Sequence, residues 1–95
     1  MVRNRYLVAY DIRDPTRLRA IAKILNGFGS RLQYSVFVCD LTMGELCDLR
    51  FQIRDTIVST RDSVAIIPLG AGYDQKLFEF MGIRPKLPTG GARVF

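Results

Sequence analysis

Asp11 is the residue on which chemistry can be built. It ends the run Arg5-Tyr6-Leu7-Val8-Ala9-Tyr10-Asp11, an aromatic and aliphatic stretch suited to a central strand. A carboxylate at the end of such a strand, beside Tyr10 and before a basic helix start, can hold a hard divalent cation while nearby arginines hold phosphates. The alternative is that Asp11 caps the turn or pairs with Arg13 or Arg17. One acidic residue per chain is too few for a Mg²⁺ site, and Asp14 has the place of a helix cap. A two-fold axis passing near Asp11 would supply the second carboxylate.

Other catalytic chemistries are excluded by composition. There is no histidine, which removes Ser-His-Asp and Cys-His catalysis, imidazole bases and His-containing zinc motifs. The two cysteines, Cys39 and Cys47, have no further thiols to join them in a zinc site or a disulfide framework. Both read as buried small hydrophobes.

The net charge of +5 is unevenly placed. Up to Arg31 the chain holds Arg3, Arg5, Arg13, Arg17, Arg19, Lys23 and Arg31 against Asp11 and Asp14, and the rest of the sequence balances to zero. Eleven of the fourteen cations are arginine, whose planar fork grips phosphate oxygens in pairs, so a polyanion such as RNA or DNA is the expected partner. A solvated helix face is the plainer reading of the same charges.

The elements that must position these residues follow in order. Asp14-Pro15 opens a helix with Asp14 as N-cap, and Leu18, Ile21, Ala22 and Leu25 recur at helical spacing until Gly27 and Gly29 end it. Arg31 to Leu41 is rich in β-branched and aromatic residues and reads as one long strand or two short ones around Ser35. Thr42 to Glu45 has the form of a capping box, followed by the stripe Leu46, Leu49, Ile53 and Ile57. Asp62 to Leu69 is a strand that Pro68 assigns to a sheet edge. Lys76 to Met81 forms a short fifth apolar element, and a mobile Pro- and Gly-rich tail follows over 82–95.

With 95 residues the chain fills one core, so residues 1–95 are a single domain. If the middle segment is two strands, the order is βαββαβ, an α+β, ferredoxin-like antiparallel sheet covered by two helices. A core this small favours a homodimer. No apolar run approaches a membrane span, and the start lacks the long apolar region of a signal peptide, so no membrane contact and a cytoplasmic location are expected.

Tyr10-Asp11-Ile12, then Arg17 and Arg19, then Gly29-Ser30-Arg31-Leu32-Gln33-Tyr34-Ser35-Val36-Phe37 resemble, in order and spacing, the signature of the CRISPR-associated Cas2 family. The resemblance is strong over residues 5 to 41 and looser through the second helix and the strand ending at Leu69. It implies a ferredoxin-like homodimer in which the two copies of Asp11 face each other and share a divalent metal, Mg²⁺ or another such as Mn²⁺. It implies a role in CRISPR spacer acquisition, where the dimer bridges the Cas1 integrase, and metal-dependent endonuclease activity on RNA or DNA. It also implies that the segment after Gly72 crosses to the other protomer as a fifth strand. By position, Tyr10, Arg17, Arg19, Arg31 and Phe37 match family residues tied to catalysis or nucleic-acid handling.

Each matched residue has a structural alternative. Phe37 is either a core or dimer-interface aromatic or a base-stacking one. Arg31 could serve a strand-start ion pair, and Ser35 a strand kink. Two functions thus stand side by side: a nuclease with Asp11 at its metal, Tyr10 as buttress and the arginines on phosphate, or a non-catalytic duplex-binding scaffold. A generic RNA-recognition module is disfavoured, because Tyr34 and Phe37 lack the flanking glycines and basic residue such platforms use.

Overall fold

The computed structural model describes residues 2–71 and 78–83. Its elements are β1 (Asn4–Asp11), α1 (Pro15–Asn26), β2 (Gly29–Gln33), β3 (Val36–Leu41), α2 (Met43–Thr56) and β4 (Ser63–Gly70). The strands form one antiparallel sheet in the order β2-β3-β1-β4. This is the ferredoxin-like arrangement, with β1 central and β4 at an edge, where Pro68 can be spared its missing donor.

Local chemistry sets the boundaries. The Asp14 carboxylate accepts a hydrogen bond from the Arg17 backbone N–H at 2.9 Å and Pro15 occupies the first turn, which starts α1. Thr42 and Glu45 make both bonds of a capping box and start α2. The middle segment is two strands joined by a tight turn at Tyr34 and Ser35. Gly27 caps α1 as expected. Gly29 does not: it lies in β2, where a Cβ would fall 2.2 Å from the Val38 carbonyl oxygen and 2.7 Å from Cys39 Sγ. Its missing side chain lets β2 approach β3.

One face of the sheet is covered by both helices. Tyr6, Val8, Tyr10 and Ile12 meet Phe37, Cys39 and Leu41 of β3, Ile21 and Leu25 of α1, and Leu46, Leu49 and Ile53 of α2 in a single core. Cys39 is buried there, but Cys47 is exposed; it stands one residue off the Leu46, Leu49 and Ile53 stripe and so turns away from the core.

Alternation along β1 sends Leu7, Ala9 and Asp11 to the other face, which no helix covers among the described residues. Their register partners there are Val38 and Val36 on β3, and Ile67, Ala65 and Ser63 on β4. The fifth apolar element begins outside the described residues, and the tail leaves them after Ile83. Within the described part, Phe78 to Ile83 form no strand; Phe78 and Phe80 meet edge to face and line an apolar groove with Leu7, Leu32, Val36 and Leu69. Among the described residues no helix is long and apolar enough to cross a membrane.

Candidate nucleic-acid and metal site

Asp11 closes β1 opposite Ser63, the first residue of β4. The chain ends that meet here, the β1–α1 turn and the turn before β4, form an open cleft of about 570 Å³ lined by Asp11, Arg13, Asp14, Arg17, Arg61 and Asp62. Asp11, Arg13 and Arg61 are exposed.

The six charges are not equivalent. Arg17 Nε–H donates to Asp62 Oδ2 at 2.7 Å and Nη2 to Oδ1 at 3.1 Å, a two-pronged bond across 45 residues. Val58 N–H donates to the same Oδ2 at 2.8 Å. The Asp62 side chain is 1% exposed. The guanidinium of Arg17, and after it the Val58 N–H, hold the Asp62 carboxyl below the usual carboxylate range. Asp14 is engaged as the α1 cap and lies 3.7 Å from the Arg17 guanidinium. That leaves the Asp11 carboxylate, alone of the three, with no hydrogen bond or ion pair among the described residues.

Of the residues the sequence singles out, Asp11 and Arg17 therefore share a cleft, but Arg17 is already committed to Asp62. Arg19 is exposed on α1 outside the cleft lining. Tyr10 points the opposite way from Asp11, into the core. Its ring stacks with Phe37 at a centroid distance of 6.2 Å, and its hydroxyl donates to the Tyr34 carbonyl at 3.2 Å. Burial pushes the Tyr10 phenol up, against the opposing pull of the Arg31 charge, so at neutral pH it is a neutral donor. What Tyr10 offers the site is position: it fixes the end of β1 from behind.

Phe37 has no exposed surface, so a base cannot stack on it in this arrangement. The physical reason is the register: Phe37 pairs with Val8 in the centre of the sheet, on its helix-covered face. Arg31 is the cross-strand partner of Phe37 and lies over its ring at 5.2 Å, a cation–π contact. Arg31, Phe37 and Tyr10 thus form a second cluster, on the far side of the sheet from Asp11.

Sequence reading missed Arg61 and Asp62 as site residues, and met Arg13 only as a possible partner of Asp11. The available signal was the charged pair Arg61-Asp62 directly before a hydrophobic strand, since a strand antiparallel to β1 must begin beside its carboxylate.

For a divalent cation, Asp11 is suitable as a hard, exposed oxygen donor. Among the described residues no group of three or more metal-ligating side chains occurs.

The fold and the cleft together define a ferredoxin-like α+β domain with an acidic first-strand end set among arginines. The chain belongs to the CRISPR-associated protein Cas2 family, whose model matches residues 4–77. It is 38% identical over 89 residues to the CRISPR-associated endoribonuclease Cas2 2 of Thermodesulfovibrio yellowstonii, covering 94% of each chain. It is 41% identical over 89 residues to the CRISPR-associated endoribonuclease Cas2 3 of Synechocystis, covering 94% of this chain and 96% of that one. The crystal structure of Streptococcus pyogenes Cas2 superposes with a TM-score of 0.75 at 34% identity, covering 82% of this chain and 99% of that one.

Proposed function

We propose that this protein acts in CRISPR spacer acquisition as a metal-dependent endonuclease on RNA or DNA, working as a homodimer with its two Asp11 carboxylates brought together. The observation that carries this reading is that Asp11 shares with Leu7 and Ala9 the face of β1 turned away from both helices. Burying that apolar face against a second copy moves the two Asp11 side chains toward one another. Each copy contributes one uncommitted oxygen donor, and the pair completes the site. The two Asp11 carboxylates would hold a Mg²⁺ or Mn²⁺ ion, which would supply an activated water at neutral pH. The chain's own residues do the rest: cleft arginines neutralise and orient the phosphodiester, and Tyr10, locked to Tyr34 and Phe37, holds the strand end steady. The relatives in Thermodesulfovibrio yellowstonii and Synechocystis are both named endoribonucleases, which supports nuclease activity.

The exposed arginines Arg13, Arg19, Arg50, Arg54 and Arg61 favour a second reading, in which the same dimer is a duplex-binding scaffold between Cas1 integrase subunits and cuts nothing. Labelled single-stranded RNA and duplex DNA, incubated with the protein in Mg²⁺ or in EDTA, separate the two. Asp11→Asn keeps the side-chain shape and removes the charge. It should lower Mg²⁺-dependent cleavage by about 100-fold or more while leaving folding and nucleic-acid binding in place. A variant that cuts as well as the parent would remove Asp11 from the reaction; a parent that binds but never cuts would establish the scaffold.

A further inference from the structure

The cleft beside Asp11 contains three guanidinium groups, and the structure separates them by what they already hold. Arg17 spends its fork on Asp62. Arg13 and Arg61 line the same cleft, are exposed, and make no side-chain hydrogen bond or ion pair among the described residues, Arg61 acting on Asp62 only through its charge. Arg13 stands two residues beyond Asp11 in the turn leaving β1. Arg61 stands two residues before Ser63, the register partner of Asp11. The two uncommitted cations therefore flank the carboxylate from adjacent chain segments. A guanidinium with an unused planar fork is the group that grips a phosphate through two oxygens.

The backbone that carries Arg61 is also fixed. Arg61 N–H donates to the Val58 carbonyl at 2.9 Å and Asp62 N–H to the same oxygen at 2.8 Å, while Val58 N–H donates back to the Asp62 carboxylate. This closed turn is tied to α1 by the Arg17–Asp62 bond. Cutting that tie releases the segment from which Arg61 projects.

We propose that Arg13 and Arg61 each hold a backbone phosphate next to Asp11, and that Arg17 is a positioning residue acting through Asp62 on Arg61. This rests on the reading of the Asp11 cleft as a nucleic-acid site and adds the groups that bind substrate there.

The test uses the full-length protein, a short labelled DNA duplex and thermal denaturation. Arg61→Ala and Arg13→Ala should each reduce the slope of log K against log salt by roughly 0.9. The advantage of the parent over each variant then shrinks by about three- to fourfold between about 50 mM and about 200 mM salt. Neither variant should lower the melting midpoint. Arg17→Ala should lower it, and the Arg17→Ala, Arg61→Ala double variant should bind no more weakly than Arg61→Ala alone, because Arg17 acts through Arg61. A parental salt slope in both Arg61→Ala and Arg13→Ala overturns the phosphate assignment, and additive losses in the double variant overturn the positioning role. If Asp11→Asn abolishes cleavage while those slopes stay parental, the inference fails and the nuclease reading stands; if the parent itself binds no nucleic acid, both fail.

Discussion

Both oxygens of Asp62 are occupied by donors from other segments, which makes this side chain the knot between α1 and the turn leading into β4. The bonds favour its charged form in the fold and hold its carboxyl below the ordinary carboxylate value of about 4. With a folded value depressed relative to the unfolded one, the stabilisation is fully present above that ordinary value and is lost as pH falls through the folded value. Asp62→Asn should therefore lower the melting midpoint by several degrees near neutral pH. It should also flatten the fall in midpoint between about pH 5 and about pH 2, measured by circular dichroism melts at a series of pH values. A variant with the parental acid profile would show that the acid sensitivity lies elsewhere. Asp62 could not be recognised from the sequence, because its meaning depends on a guanidinium 45 positions away. Asp11 could be, because a carboxylate closing an apolar strand is a local signal.

At the scale of elements, the helix starts were the most legible features, since caps are local and both Asp14 and Thr42 bond within three residues of themselves. The division of the middle segment was not legible. Arg31 to Leu41 contains neither Gly nor Pro, and the Tyr34–Ser35 turn is enforced by the pairing of β2 on β3 rather than by turn residues. That pairing depends on Gly29. A methyl group there would meet backbone, the Val38 carbonyl oxygen at 2.2 Å, as well as a buried sulfur, so no rotamer change relieves it. Gly29→Ala should cost about 2–3 kcal/mol or more in chemical denaturation and expose β2 amides to hydrogen exchange, with β1 and β4 less affected. An alanine variant of parental stability would mean that β2 can shift outward freely. Phe37, beside this pairing, has its role decided by the same geometry: the register turns it to the covered face, where it serves Arg31 and Tyr10.

For the whole molecule, the fold class followed from the order of elements, but the face proposed for association did not, because sequence periodicity gives alternation without saying which side the helices cover. The side away from the helices presents Leu7, Val36, Ile67 and Leu69, the last two 44% and 41% exposed. Ile67→Glu places a charge on that face and should shift the proposed dimer to monomer at low micromolar concentration, read by light scattering during size exclusion. Loss of cleavage should accompany the shift, since each monomer keeps only one Asp11. An unchanged dimer would move the contact to another surface and separate the two Asp11 residues. Finally, both outer strands of the sheet are irregular: β2 slips against β3 between Arg31 and Gln33, and β4 slips against β1 opposite Arg5 and Tyr6, where Pro68 stands and Gly70 turns to φ 88°. Unbroken margins can recruit copy after copy into an endless ribbon, the nucleus of a fibre. Here a kink in each outer strand, and on β4 the donor missing at Pro68, work against such growth. The expected state is discrete, countable particles, with geometry as well as charge opposing gelling and precipitation.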